Sequence, residues 1–187
     1  ATTSGLPPLI SNPFNITADA VNNLVFSAQP APTYQAGGTI TTTVLVRDQY
    51  NNPVSGTAVT VALSPTGVAT LGGTLTQATN ASGNATFNNL TITLTGTYVL
   101  SATASTLYAP PSTVFNITPG APNNLIFVAQ PQSITAGNTM APITVRLRDQ
   151  FNNLVLQSGI AVSVTTSTQL NGTTTTNTDT SGIAAFN

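Results

Sequence analysis

The chain has 187 residues, 40% of them apolar but only 4% charged, with a net charge of -1. Cysteine, histidine, lysine, glutamate and tryptophan are absent. This argues against electrostatic capture of nucleic acid or an anionic membrane, against disulfide staples, and against catalysis built on histidine, cysteine or lysine. Residues 1–17 read as the end of a repeat. Pro13-Phe14-Asn15-Ile16-Thr17 matches Val114-Phe115-Asn116-Ile117-Thr118, 101 positions later. The segment is therefore expected to be a last strand belonging to a preceding or neighbouring module, with Leu9, Ile10, Phe14 and Ile16 as its assembly residues. Ala18–Val21 and its counterpart Pro119–Pro122 are short joints, the second stiffened by proline.

A complete module is predicted over 22–118. Leu24–Ser27 is a short strand, broken by Gln29-Pro30-Ala31-Pro32, where proline fits only an edge or a bulge. Thr39–Arg47 alternates, with Ile40, Thr42, Val44 and Val46 on one face. Asp48–Pro53 is a loop, and Ala58–Leu63 alternates again. A short run at Val68–Leu71 and a weak strand at Leu75–Thr79 follow. Ala81-Ser82-Gly83-Asn84 turns the chain into a strand at Ala85–Leu90, and Thr97–Thr103 and Thr113–Ile117 complete the set. Short strands with regular turn signals and no helix-period segment predict an all-β fold of tandem antiparallel β-sandwiches. Tyr98, at the start of a late strand, is expected to bond its hydroxyl to backbone across a corner.

A second module is predicted over 123–187. Asn123-Asn124-Leu125-Ile126-Phe127 repeats Asn22-Asn23-Leu24-Val25-Phe26, and Arg148-Asp149-Gln150-Phe151-Asn152-Asn153 repeats Arg47-Asp48-Gln49-Tyr50-Asn51-Asn52. Nothing corresponds to Asn89–Thr118, so this module lacks its last two strands and should have an open core. Either the residues belong to a longer tandem array, the version favoured by the two missing strands, or segment 1–17 of a neighbour completes the open module by strand addition. In both versions the partner is the same protein, head to tail.

The polar sites are few. Asp48 and Asp149 are expected to cap the loops that follow the long strands, with partial pairing to Arg47 and Arg148. A calcium role is set aside because calcium wants more carboxylates than the chain offers. Tyr50 and Phe151 read as plugs over the ends of their cores, while Tyr34 and Tyr108 could line a small surface for glycans. Asn15, Asn80, Asn84, Asn89, Asn116 and Asn171 begin Asn-x-Ser/Thr triplets and are candidate glycosylation sites. No catalytic residue, cofactor or metal ligand set is predicted, and no apolar run is long enough for membrane insertion. With so few titratable groups, the fold should change little between acidic and neutral pH.

Asn23-Leu24-Val25-Phe26, Gln29-Pro30, Ala36-Gly37, Val44 through Val54, Gly83-Asn84-Ala85-Thr86-Phe87, Gly96-Thr97-Tyr98 and Phe115-Asn116-Ile117-Thr118 together resemble the bacterial immunoglobulin-like repeats of large surface proteins, adhesin stalks and S-layer-associated chains. The resemblance spans essentially the whole chain. Where those families usually have Asp-x-x-Gly-Asn, this chain has Asn51 and Asn152 in the glycine position, and asparagine still accepts a left-handed backbone. The resemblance implies an extracellular or cell-surface location and a structural role, with a glycan-binding or adhesive module as the alternative.

Overall fold

A computed structural model describes residue 5 and residues 7–64, 67, 69–166 and 171–187. Val68, placed by the sequence in a short run ending at Leu71, lies outside the described residues, as do residues 1–4 and 6 of the first segment. The described residues are all-β: fourteen strands, with no helix long and apolar enough to cross a membrane.

Nine strands surround one core. One sheet has the order β1 (Asn23–Ala28), β3 (Ile40–Arg47), β6 (Asn84–Leu90), all antiparallel. The facing sheet has the order β2 (Thr33–Gln35), β9 (Phe115–Thr118), β7 (Gly96–Ala104), β4 (Ala58–Ser64), β5 (Thr76–Ala78), with β8 (Leu107–Tyr108) also paired to β7. Strict alternation puts Ile40, Thr42, Val44 and Val46 of β3 inside. They share the core with Val59, Val61, Phe87, Leu100 and Phe115, all almost inaccessible to solvent. Each such apolar side chain contributes about 1.5–3 kcal/mol by leaving water. Thr42 is tolerated because its hydroxyl donates to Ala28 O at 2.7 Å.

The ladder is not wholly antiparallel as expected: β2 runs parallel to β9. The cause is local. The pairing of β1 shifts register between Phe26 and Ala28, and Pro30 and Pro32 cannot donate to the ladder that β1 was following. The chain therefore crosses to the opposite sheet, where Pro32 O accepts Asn116 N–H at 2.9 Å. Three residues between prolines and the Gly37-Gly38 turn leave too little periodicity to mark β2 in advance.

Five more strands follow. β10 (Asn124–Ala129), β11 (Ile143–Arg148) and β14 (Ile183–Phe186) form a sheet that reproduces β1-β3-β6, including the register shift, now between Phe127 and Ala129. β12 (Ala161–Ser163) and β13 (Thr175–Asn177) form a hairpin in the place of β4 and β5. The buried cluster here is small: Val145, Val162, Ala184 and Phe186. Among the described residues no strand of this second unit occupies the positions of β7 and β9.

Candidate assembly site

The first functional feature is a mismatch between equivalent residues. In the first unit, Leu24 and Phe26 are 3% and 9% exposed; their counterparts Leu125 and Phe127 are 48% and 47% exposed. Leu125, Phe127, Val145, Val162 and Val164 line an open cleft of about 240 Å³ between the β10-β11-β14 sheet and the β12-β13 hairpin. A second opening, of about 520 Å³, continues at the end of the same unit beside Ile134, Met140, Ile143, Val164 and Phe186. In the first unit this interior is closed by β7 and β9, whose Leu100, Phe115 and Ile117 join the core. Among the described residues the equivalent apolar wall of the second unit stays exposed.

The second feature is the converse. Residues 7–17 form no strand, and Phe14 and Ile16 are 78% and 88% exposed, whereas the matching Phe115 and Ile117 of β9 are 0% and 3% exposed. Leu9 and Ile10 are similarly open to solvent. The four residues assigned to assembly are therefore all on the surface; the counterparts of Phe14 and Ile16 lie on the core strand β9, while those of Leu9 and Ile10 are the exposed Pro110 and Pro111.

The third feature is the joint between units. The Asp149 carboxylate is fully buried. One oxygen accepts the N–H groups of Phe151 (2.9 Å) and Asn153 (2.8 Å); the other accepts Gly120 N–H at 3.0 Å and the Asn153 amide at 2.9 Å. It thus closes its own loop and pins the connecting segment. Asn153 reaches the other way as well, donating to Thr93 O at 2.7 Å and accepting Thr95 N–H at 3.0 Å in the first unit. Phe151 lies against Gly37, where a Cβ would sit 2.4 Å from the ring.

Asp48 repeats the inner half of this arrangement. Its carboxylate accepts Tyr50 N–H (2.9 Å), Asn52 N–H (2.8 Å), the Asn52 amide (3.0 Å) and Asp19 N–H (3.0 Å). Burial alone would raise its pKa, but the Asn52 amide and the N–H groups of Asp19, Asn52 and Tyr50 outweigh that and lower it to about 2. The same opposition, burial against the Asn153 amide and the N–H groups of Gly120, Asn153 and Phe151, lowers Asp149. Asn51 and Asn152 take φ of 71° and 72°, the left-handed conformation that the loop requires.

Other expectations need correction. The arginines do not pair with the aspartates: Arg47 donates to Asn51 Oδ1 at 2.7 Å and Arg148 to Asn152 O, because the loop turns both carboxylates inward onto N–H groups. Phe151 does not plug its own core but covers the first unit's turn, and Tyr50 projects into solvent. Tyr34 is partly buried, its hydroxyl accepting Ala31 N–H at 2.8 Å and its ring packing edge-on against Phe115 at 6.0 Å, whereas Tyr108 is exposed. Tyr98 donates to Leu94 O at 3.0 Å, as its position suggested.

Among the triplet asparagines, Asn15, Asn80, Asn89, Asn116 and Asn171 are exposed and Asn84 is partly buried. Asn80 Oδ1 accepts Ser82 and Asn84 N–H, and Asn89 bonds Thr74 through both ends of its amide. Sequence reasoning missed Asp19, Gly37, Thr93, Thr95 and Asn153 as joint residues. The repetition of Asn52 as Asn153 was the available signal, but it does not say which surface the amide faces. Among the described residues no three His, Cys, Asp or Glu side chains group to hold a metal.

No protein-family model matches the chain, and no curated protein does. Among solved structures, the adhesin FdeC of Escherichia coli superposes with a TM-score of 0.50 at 19% identity, over 79% of this chain and 48% of that one. InvE, an adhesin of Yersinia pseudotuberculosis, gives a TM-score of 0.42 at 23% identity, over 87% of this chain and 49% of that one. The chain spans about half the length of each. The likeness to FdeC is one of fold.

Proposed function

We propose that this chain is a structural part of an extracellular fibre, stalk or surface layer, made of immunoglobulin-like β-sandwiches over 22–118 and 123–187 joined end to end and completed by added strands. The observation that carries the reading is the pairing of an exposed apolar cleft in the second unit with an exposed copy of β9 in segment 7–17. Burying Phe14 and Ile16 in such a cleft would contribute about 1.5–3 kcal/mol each, with ladder hydrogen bonds setting the register. The missing strands come from continuing polypeptide, or the last of them comes from segment 7–17 of another copy. The role is non-catalytic and rests on mechanical continuity. The fold shared with FdeC, and the chain's resemblance to surface repeats, support a cell-surface setting. Glycans on the exposed triplet asparagines would supply the solubility that charge does not.

The test is the denatured mass of the natural polypeptide after glycan removal, read beside assembly of the 187-residue chain and its Phe14→Asp/Ile16→Asp variant. A natural mass far above 19.0 kDa assigns the missing strands to a longer chain. A mass near 19.0 kDa, with fibres lost in the double variant, assigns them to strand exchange. A short polypeptide that stays monomeric at all concentrations would refute the fibre role.

A further inference from the structure

The loop 149–153 engages the first unit at the joint, and the matching loop 48–52 at that unit's other end carries the exposed Tyr50 and Asn52. We infer that the loop 48–52 is a docking face for a preceding unit of the same kind, which would present to it a turn like Thr93–Thr95 and a glycine turn like that at Gly37. The inference deepens the end-to-end reading above and rests on it.

The loops Asp48-Gln49-Tyr50-Asn51-Asn52 and Asp149-Gln150-Phe151-Asn152-Asn153 differ at one position, and their internal bonding is the same. Both carboxylates also hold an N–H of the segment that leads in, Asp19 upstream and Gly120 downstream, each at 3.0 Å. At the upstream end Gln49 adds a bond to the Asp19 carboxylate at 2.9 Å, so the entering chain is held there without a neighbour.

What differs is occupancy. Asn153 uses both ends of its amide on the first unit and is buried. Asn52 keeps only the bonds within its loop, its Oδ1 has no partner among the described residues, and it is exposed. Phe151, on Gly37, is 37% exposed, whereas Tyr50 is 72% exposed. A primary amide and an aromatic ring held in the downstream geometry fit a neutral partner: a carbonyl and an N–H two residues apart, next to a backbone with no Cβ. A preceding unit of this fold offers that set. A repeated joint would give each unit the same rotation from the last, and units that share only a flexible link would not keep one.

Because cysteine is absent, spin labels can be attached through cysteines at the equivalent exposed positions Thr86 and Ala185. Phe151→Tyr turns the occupied loop into the sequence of the unoccupied one. The expected result is an unchanged, narrow distance distribution by double electron–electron resonance, while Asn153→Ala widens it by roughly twofold or more. Widening in Phe151→Tyr to the same extent would overturn the proposal. The second experiment fuses residues 18–101 ahead of Ala1, so that segment 1–17 completes an added unit. Labels on the two copies of Thr86 should then give a narrow distribution that Asn52→Ala widens. A broad distribution indifferent to Asn52→Ala, with amide exchange showing the added unit folded, would also overturn it. Neither distance depends on fibre growth, so failure of the fibre reading leaves both intact.

Discussion

Asp48 and Asp149 are acceptors placed where a loop, a joint and a buried position meet, and their ionisation is the main pH-sensitive term in a chain with few charges. Folding lowers the Asp48 pKa from 3.8 to about 2, so the fold favours the carboxylate. Its stabilisation is complete above about pH 4 and is lost as pH falls through the folded value. Asp149 shifts in the same direction. The thermal midpoint should therefore be level from pH 8 to pH 5 and fall between pH 4 and pH 2, a narrower insensitivity than composition suggested. Asp48→Asn should flatten part of that acid limb while lowering the midpoint at neutral pH, because its amide nitrogen cannot accept the bonds that Oδ2 accepts. An acid limb of unchanged depth in the variant would remove Asp48 from the explanation. The loop was readable in advance as Asp-x-x-Asn-Asn. The direction of the Asn153 side chain was not, since its partners Thr93 and Thr95 are about 60 positions away and belong to the other unit.

Among the elements, β9 and residues 14–17 have the same sequence, Phe-Asn-Ile-Thr, and opposite environments. Phe115 is buried with its ring near Tyr98, at 6.2 Å between centroids, and near Tyr34 at 6.0 Å. Phe115→Ala should cost about 3–5 kcal/mol in denaturant unfolding of the isolated chain. Phe14→Ala should leave the same midpoint within about 0.5 kcal/mol, because its side chain is exposed in the monomer. Equal losses would show that segment 7–17 packs within its own chain. Strands with long alternating runs, such as β3 and β4, were legible from period alone. β2 and β8, three and two residues long, were not, because their existence depends on the neighbouring β9 and β7 ladders.

For the molecule as a whole, the two units differ in how much apolar surface they hide. Among the described residues the first has a core of twenty-one buried residues, the second a cluster of four. Local opening is cheapest where burial is least. Amide exchange in the monomer should consequently be fast throughout β10–β14 and slow in β3, β6 and β7, with β10–β14 gaining protection on assembly. Uniform slow exchange in the monomer would mean that the second unit is complete without added strands.

The order of residues carried the repeat, the all-β class and the positions of the turns, because these depend on short-range physics: alternation, proline and glycine punctuation, and asparagine in left-handed loops. It also located the two aspartates, since a cap bonds to residues two and four positions on. Packing in three dimensions settled the parallel β2–β9 pairing, the solvent-facing state of segment 7–17 and the engagement of Asn153 and Phe151 with the first unit. These are contacts between residues distant in the chain, and which of two nearly identical loops is covered depends on what stands beside it.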